Sequence, residues 1–261
     1  MGVNKLHDQL RPHYNQVDAL VDYKGLCVGV DALCWVHRAA KHAISSGDHD
    51  VDTLCARVSK FFQDYVGALT RKGVRVLAVF DGQAPAAKRA NRPRGNESWY
   101  APCVTAARAA AAAAGATCVQ APGEADAELA ARARRGDVCC VLTDDCDLVA
   151  LGAPRCLFAA KLATAGDGRP TLVGSEFELR ALGASGTFLG WPRERFVAFC
   201  VACGCDYAKN VPGVGPARAL ALSAGAADAE VVLQRLLREP RCPEGFADAF
   251  RAAVRLFTAG D

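Results

Sequence analysis

Four short apolar runs in this chain break off into carboxylates. Val28-Gly29-Val30 ends at Asp31, Val74 to Phe80 ends at Asp81, and Val138 to Leu142 ends at Asp144, Asp145 and Asp147. The fourth, Ala116 to Ala121, passes through Pro122-Gly123 into Glu124 and Asp126. Short runs of β-branched and small apolar residues read as buried strands. Helical stretches lie between them. Val51 to Thr70 has apolar residues at 51, 54, 58, 61, 62, 65, 66 and 69, the stripe of a helix with one buried face. The alanine run Ala109 to Ala114 is a strong helix former, and Gly115 stops it. Strands alternating with helices predict an α/β fold with a mainly parallel central sheet. In such a sheet, functional groups gather beyond the carboxyl ends of the strands, which is where these acids fall.

Residues 3–20 read as a short helix and then a loop, Asp50 or Asp52 as the cap of the next helix, and Glu128 with Arg132 as an i,i+4 pair. Arg155 to Leu162 and Thr171 to Val173 suggest a hairpin. After Trp191-Pro192 the strand signals fade. This divides the chain into an α/β core, 1–192, and a helical module, 193–261. In that module Val211-Pro212-Gly213-Val214-Gly215-Pro216 forms a tight turn between helices, with Arg218 just beyond it. Backbone N–H groups exposed by such a turn bind phosphate without reading sequence. Within the core, 82–101 is a basic loop carrying Lys88, Arg89, Arg92 and Arg94, and Pro85 and Pro93 argue against one continuous helix there.

A formal net charge of +3 implies no partner by itself. No apolar run approaches the roughly 20 residues that span a bilayer, and Met1 to His7 lacks the apolar centre of a secretory signal. Thirteen scattered cysteines, several in apolar runs, suggest reduced, buried thiols in an intracellular protein. Cys200, Cys203 and Cys205 resemble half a metal site, but no second cysteine pair or histidine follows them.

Carboxylates crowded at one edge repel each other and lose hydration, which a divalent cation offsets. Asp206, arriving from the helical module, brings the set to seven: Asp31, Asp81, Glu124, Asp126, Asp145, Asp147 and Asp206. Hard oxygen ligands of this kind suit Mg²⁺. Two such ions about 3.5–4 Å apart can activate water and stabilise the leaving oxygen of a phosphodiester.

The chain resembles the flap endonuclease and exonuclease-one (XPG-type) family of structure-selective 5′ nucleases. The likeness is carried by Met1-Gly2-Val3, Val28 to His37, Val79-Phe80-Asp81-Gly82, Ala121 to Ala130, Leu142 to Leu148, and Gly204 to Tyr207 with Val211 to Pro216, spread over residues 1 to 225. Cys34-Trp35-Val36-His37 and the Glu-Ala-Asp-Ala string look closest to the exonuclease-one branch. The resemblance implies a PIN-like nuclease core with a C-terminal helix–hairpin–helix. It implies that the seven acids bind two Mg²⁺ ions, with Mn²⁺ able to substitute, and that Lys88 faces the scissile phosphate, where an ammonium stabilises developing charge. Asp144 matches a family acid not usually counted as a ligand. His37 matches a position that stacks on a base near the cut. Leu33 and Trp35 belong either to a wedge between bases or to the core. Gly2, Arg38 and the basic loop join the expected DNA contacts, and the turn at 211–216 is expected to grip duplex backbone beside a K⁺ ion.

Two departures stand out. Only 42 residues separate Asp81 from Glu124, fewer than the family's helical arch occupies, and Gly95 falls near the arch's second basic position. A short basic loop with Trp99 and Tyr100 could steer a single strand by charge and stacking instead. The long tail and sliding-clamp motif of several relatives are missing. The expected function is metal-dependent hydrolysis of DNA beside a 5′ end, nick, gap or flap, in replication, repair or recombination. Rival readings are a junction-resolving or RNA-cleaving endonuclease of the same fold, and a silent DNA-binding scaffold. A monomer without membrane attachment is expected, in the nucleus of a eukaryotic or virus-infected host and otherwise in cytoplasm.

Overall fold

The computed structural model describes residues 3, 5–45, 50–83, 98–182, 184 and 186–259. Its strands are β1 (Asn15–Asp18), β2 (Cys27–Asp31), β3 (Arg75–Phe80), β4 (Thr117–Gln120), β5 (Cys140–Leu142), β6 (Arg155–Thr164) and β7 (Pro170–Glu178). They form one sheet in the order β1-β7-β6-β5-β2-β3-β4. From β6 to β4 every neighbouring pair is parallel. The β6–β7 hairpin and β1 extend the sheet antiparallel at one side.

Side chains alternate across a strand, and here the alternation feeds two apolar clusters. Val28, Val30, Val76, Ala78, Phe80 and Leu142 enter one, with helices α2 (Ala19–Asp22), α3 (Ala32–Ser45), α4 (Val51–Arg71) and α5 (Tyr100–Ala113). Leu77, Val79, Val141, Cys156 and Phe158 enter the other, with α1 (Leu6–Leu10), α6 (Ala125–Arg135) and α7 (Asp147–Ala150). The second cluster continues without a break into α8 (Arg193–Cys203), α9 (Pro216–Ser223), α10 (Ala229–Leu237) and α11 (Phe246–Thr258). Helix α8 is buried from Phe196 to Cys203, so it is a core helix with apolar groups on every side.

Local chemistry sets several boundaries. Asp50 caps α4, its Oδ2 accepting the Thr53 N–H at 2.8 Å. Arg132 pairs with Glu128 at 2.6 Å along α6, and Gly136 ends that helix with φ +80°. Two elements differ from the sequence expectation. Asn15 to Asp18 is a strand rather than a loop, because β7 supplies a partner for a polar segment with no apolar period of its own. The hairpin runs to Thr164 and Glu178, because β6 carries a bulge between Phe158 and Lys161 that breaks its alternation. Among the described residues no helix is long and apolar enough to cross a membrane. The thirteen cysteines are thiols rather than disulfides. Burial pushes the Cys203 thiol up to about 12, and among the described residues no group of three His, Cys, Asp or Glu that includes Cys200, Cys203 and Cys205 stands at metal-ligand spacing.

Candidate active site

The parallel strands β5, β2, β3 and β4 are neighbours, so their carboxyl ends form one edge. Asp31 closes β2 and is 6% exposed. Its Oδ1 accepts the Cys34 N–H at 3.0 Å and its Oδ2 accepts the Thr143 hydroxyl at 3.0 Å. Thr143 also accepts the Asp145 N–H at 2.9 Å, and Asp145 Oδ1 accepts the Asp147 N–H at 3.0 Å. One threonine thus joins the acid of β2 to the loop after β5. Burial pushes the Asp31 carboxyl up to about 7, against the donated hydrogen bonds, and the negative charges of Asp145 and Asp81 push in the same direction. Three acids from three strand ends therefore share one field.

Asp81 is fixed from the next loop. Its Oδ1 accepts the Ala125 N–H at 2.7 Å, and the Gln120 side-chain amide donates to its main-chain carbonyl. The Gly82 N–H donates to the Gly123 carbonyl at 2.7 Å. A β-carbon on Gly82 would stand 2.0 Å from the Ala121 carbonyl oxygen, so the Asp81-Gly82 and Pro122-Gly123 motifs form a backbone staple that admits glycine alone at position 82. Glu124, 6% exposed, caps the start of α6 and accepts a hydrogen bond from the Tyr207 hydroxyl. Burial pushes the Tyr207 phenol well above its ordinary value, and Glu124, Asp147 and Asp126 add to the rise. Tyr207 follows Asp206 directly, so it ties the end of α8 to the acidic edge. Asp147 is 2% exposed, and its Oδ1 accepts the Val3 N–H at 2.7 Å.

The acids of β2, β3 and the loop after β5 thus gather at one edge, but no described trio stands at ligand spacing. The donor set is all carboxylate oxygen, partly buried and mutually repelling, which fits a hard divalent cation. Thr143, Tyr207, Gln120 and Val3 escaped the sequence reading because none is charged. The Thr143-Asp144-Asp145 run carried the one available signal.

Beside Asp145 opens a groove of about 1370 Å³, lined on its basic side by Arg38, Lys41, Arg57, Lys60 and Lys161. His37 lines it too and packs against Trp99 and Tyr100, ring centroids 5.7 and 5.3 Å away. Arg38 donates to the Ala160 carbonyl at 2.5 Å and stands over Phe61 and Tyr65. Leu33 and Trp35, left open between wedge and core, both pack in the core at 9% and 1% exposure. Val211 and Val214 correct the expected contact set. Both side chains are buried, and the Val214 N–H donates to the Val211 carbonyl at 2.9 Å. Gly213 and Gly215 are exposed in that turn, and Arg218 pairs with Glu239 at 2.6 Å. Gly2, Lys88, Arg89, Arg92 and Arg94 lie outside the described residues.

Known proteins resemble this chain over most of its length. Exonuclease 1 of Danio rerio is 28% identical over 275 residues, covering 90% of this chain and 32% of its own length. Flap endonuclease 1 of Ostreococcus lucimarinus is 35% identical over 138 residues, covering 53% of this chain and 33% of its own. The chain spans about a third of the length of these curated relatives. Human GEN1, solved with Holliday junction DNA, shares the fold at a TM-score of 0.70 and 22% identity, over 98% of this chain and 66% of its own. The XPG N-terminal domain family matches residues 1–97 and the XPG I-region family matches residues 115–206, together more than half of the sequence. The chain belongs to the XPG-type family of 5′ nucleases.

Proposed function

We propose that this protein is a Mg²⁺-dependent 5′ nuclease that hydrolyses DNA phosphodiesters where a duplex adjoins a 5′ end, nick, gap or flap. One observation carries the reading: buried Asp31 shares its field with Asp81 and Asp145, carboxylates brought from separate strand ends to a single edge. Asp31, Asp81, Glu124, Asp126, Asp145, Asp147 and Asp206 are the residues that would hold the ions. Two bound ions supply activation of water and neutralisation of phosphodiester charge. The chain's own groups do the rest. Thr143 holds the Asp31 carboxylate and the Asp145 backbone together, and Tyr207 holds Glu124. The basic groove beside Asp145 suits a phosphate backbone, and Gly213 and Gly215 offer backbone N–H groups to duplex further along. By the family resemblance, Lys88 is the residue expected to supply a cation at the scissile phosphate.

The similarity of fold to a protein solved with Holliday junction DNA, together with the short interval between Asp81 and Glu124, favours junction cleavage as the second reading. Asp145→Asn tests the main one. With Mg²⁺, 5′-labelled duplex and flap DNA should be cut by the native protein and left intact by the variant, while duplex binding persists. Undiminished cleavage by the variant would refute it. Products mapped on blunt duplex, flap, four-way junction and RNA decide between the two readings.

A further inference from the structure

Asp144 opens the acidic run after β5. It is the point where three segments, α1, α3 and β6, meet the loop after β5. Its Oδ1 accepts the Ala159 N–H at 2.8 Å, and its Oδ2 lies 3.5 Å from the Arg38 guanidinium. Its own N–H donates to the Cys34 sulfur at 3.1 Å, and its carbonyl meets His7 Nε2 at 3.2 Å. Ala159 belongs to the β6 bulge, where the ladder passes from Phe158 paired with Ser175 to Lys161 paired with Val173. Two residues of β6 therefore face one of β7, Gly174, whose added β-carbon would come within 2.9 Å of the Phe158 carbonyl oxygen. Ala159 holds φ +51°, a left-handed conformation that an alanine adopts only under constraint. The constraint is visible: Asp144 takes the Ala159 N–H, and Arg38 takes the Ala160 carbonyl.

We infer that Asp144 is a positioning residue for Asp145, clamping the loop after β5 to the β6 bulge so that the next carboxylate keeps its place at the strand edge. The inference rests on the reading of the edge acids as divalent-cation ligands. It assigns Asp144 a geometric task, acceptance of one backbone hydrogen bond, rather than an electrostatic one. Groups that orient ligands in this way typically change metal affinity by about 10–100-fold when disturbed.

Two substitutions separate geometry from charge. Asp144→Asn keeps a carbonyl oxygen at the same reach and loses the charge. Asp144→Glu keeps the charge and moves the acceptor by one methylene. The full chain is melted without DNA at graded MgCl₂, and the concentration giving half of the maximal rise in Tm is read for each protein. D144E should raise that midpoint by about tenfold, while D144N stays within about threefold of the native chain. The reverse order, D144N shifted and D144E unchanged, overturns the inference, as does a D144E midpoint equal to the native one whatever its Tm without metal. A native chain that gains no stability from Mg²⁺ refutes the metal-site reading itself, and the inference falls with it.

Discussion

Replacing Trp35 with alanine decides whether its ring works in the core or against DNA. Trp35 is 1% exposed, with Phe61, Phe62 and Tyr65 around it at centroid distances of 5.6, 5.8 and 5.5 Å, all edge-on. A buried tryptophan hides about 150–250 Å², which at about 25 cal/mol per Å² is a transfer term of roughly 4–6 kcal/mol. The cavity adds to that loss and relaxation of α4 subtracts from it, so the expected cost is about 3–5 kcal/mol, as for other large aromatic truncations in cores. For a chain of this size the melting point should fall by roughly 10 °C. Urea unfolding followed by circular dichroism gives the free energy, and an unchanged slope confirms that the same surface unfolds. Duplex affinity, measured well below the lowered melting point, should change little. A stability loss below about 1 kcal/mol together with a large fall in affinity would show that the ring meets DNA, and the core assignment would fail.

Three further outcomes follow from the site. Tyr207→Phe removes one hydrogen bond to a carboxylate and should cost about 1.5–3 kcal/mol, with a higher Mg²⁺ requirement for cleavage; an unchanged Mg²⁺ titration would exclude Tyr207 from the site. Gly82→Ala forces a methyl against the Ala121 carbonyl oxygen and should cost about 1–3 kcal/mol and most of the cleavage, whereas a variant with native stability and rate would mean that the staple is dispensable. Chelation of divalent ions should abolish cleavage and leave the fold intact, with MgCl₂ restoring it; turnover persisting in chelator counts against the metal reading.

What could be seen in the sequence was whatever depended on contrast between neighbours. A run such as Val28-Gly29-Val30 ending in Asp31 announces both strand and edge, and β2 closes at that acid. The alternation of such strands with amphipathic helices announces the parallel sheet. What depended on partners was hidden. Asn15 to Asp18 is a strand only because β7 lies beside it. Val211 and Val214 look like an exposed phosphate turn, yet both side chains are buried in the apolar cluster that includes α8. Trp35 was ambiguous because a helix stripe does not say which aromatic neighbours will surround it. The acids could be assigned to one edge by topology alone, but Thr143 and Tyr207, which join them, are neutral residues whose partners lie 112 and 83 positions away.

The staple between Gly82 and Gly123 has a consequence for how such a chain can vary. The excursion from Gln83 onward starts and finishes at the same place, so its two anchors are already joined by backbone before its own length matters. A change of length between Gln83 and α5 leaves that backbone pairing in place, and the entropy of a connection grows slowly with residue number. Grafting a longer or shorter segment between Gln83 and α5 should therefore leave Asp81 and Glu124 in register at the sheet edge.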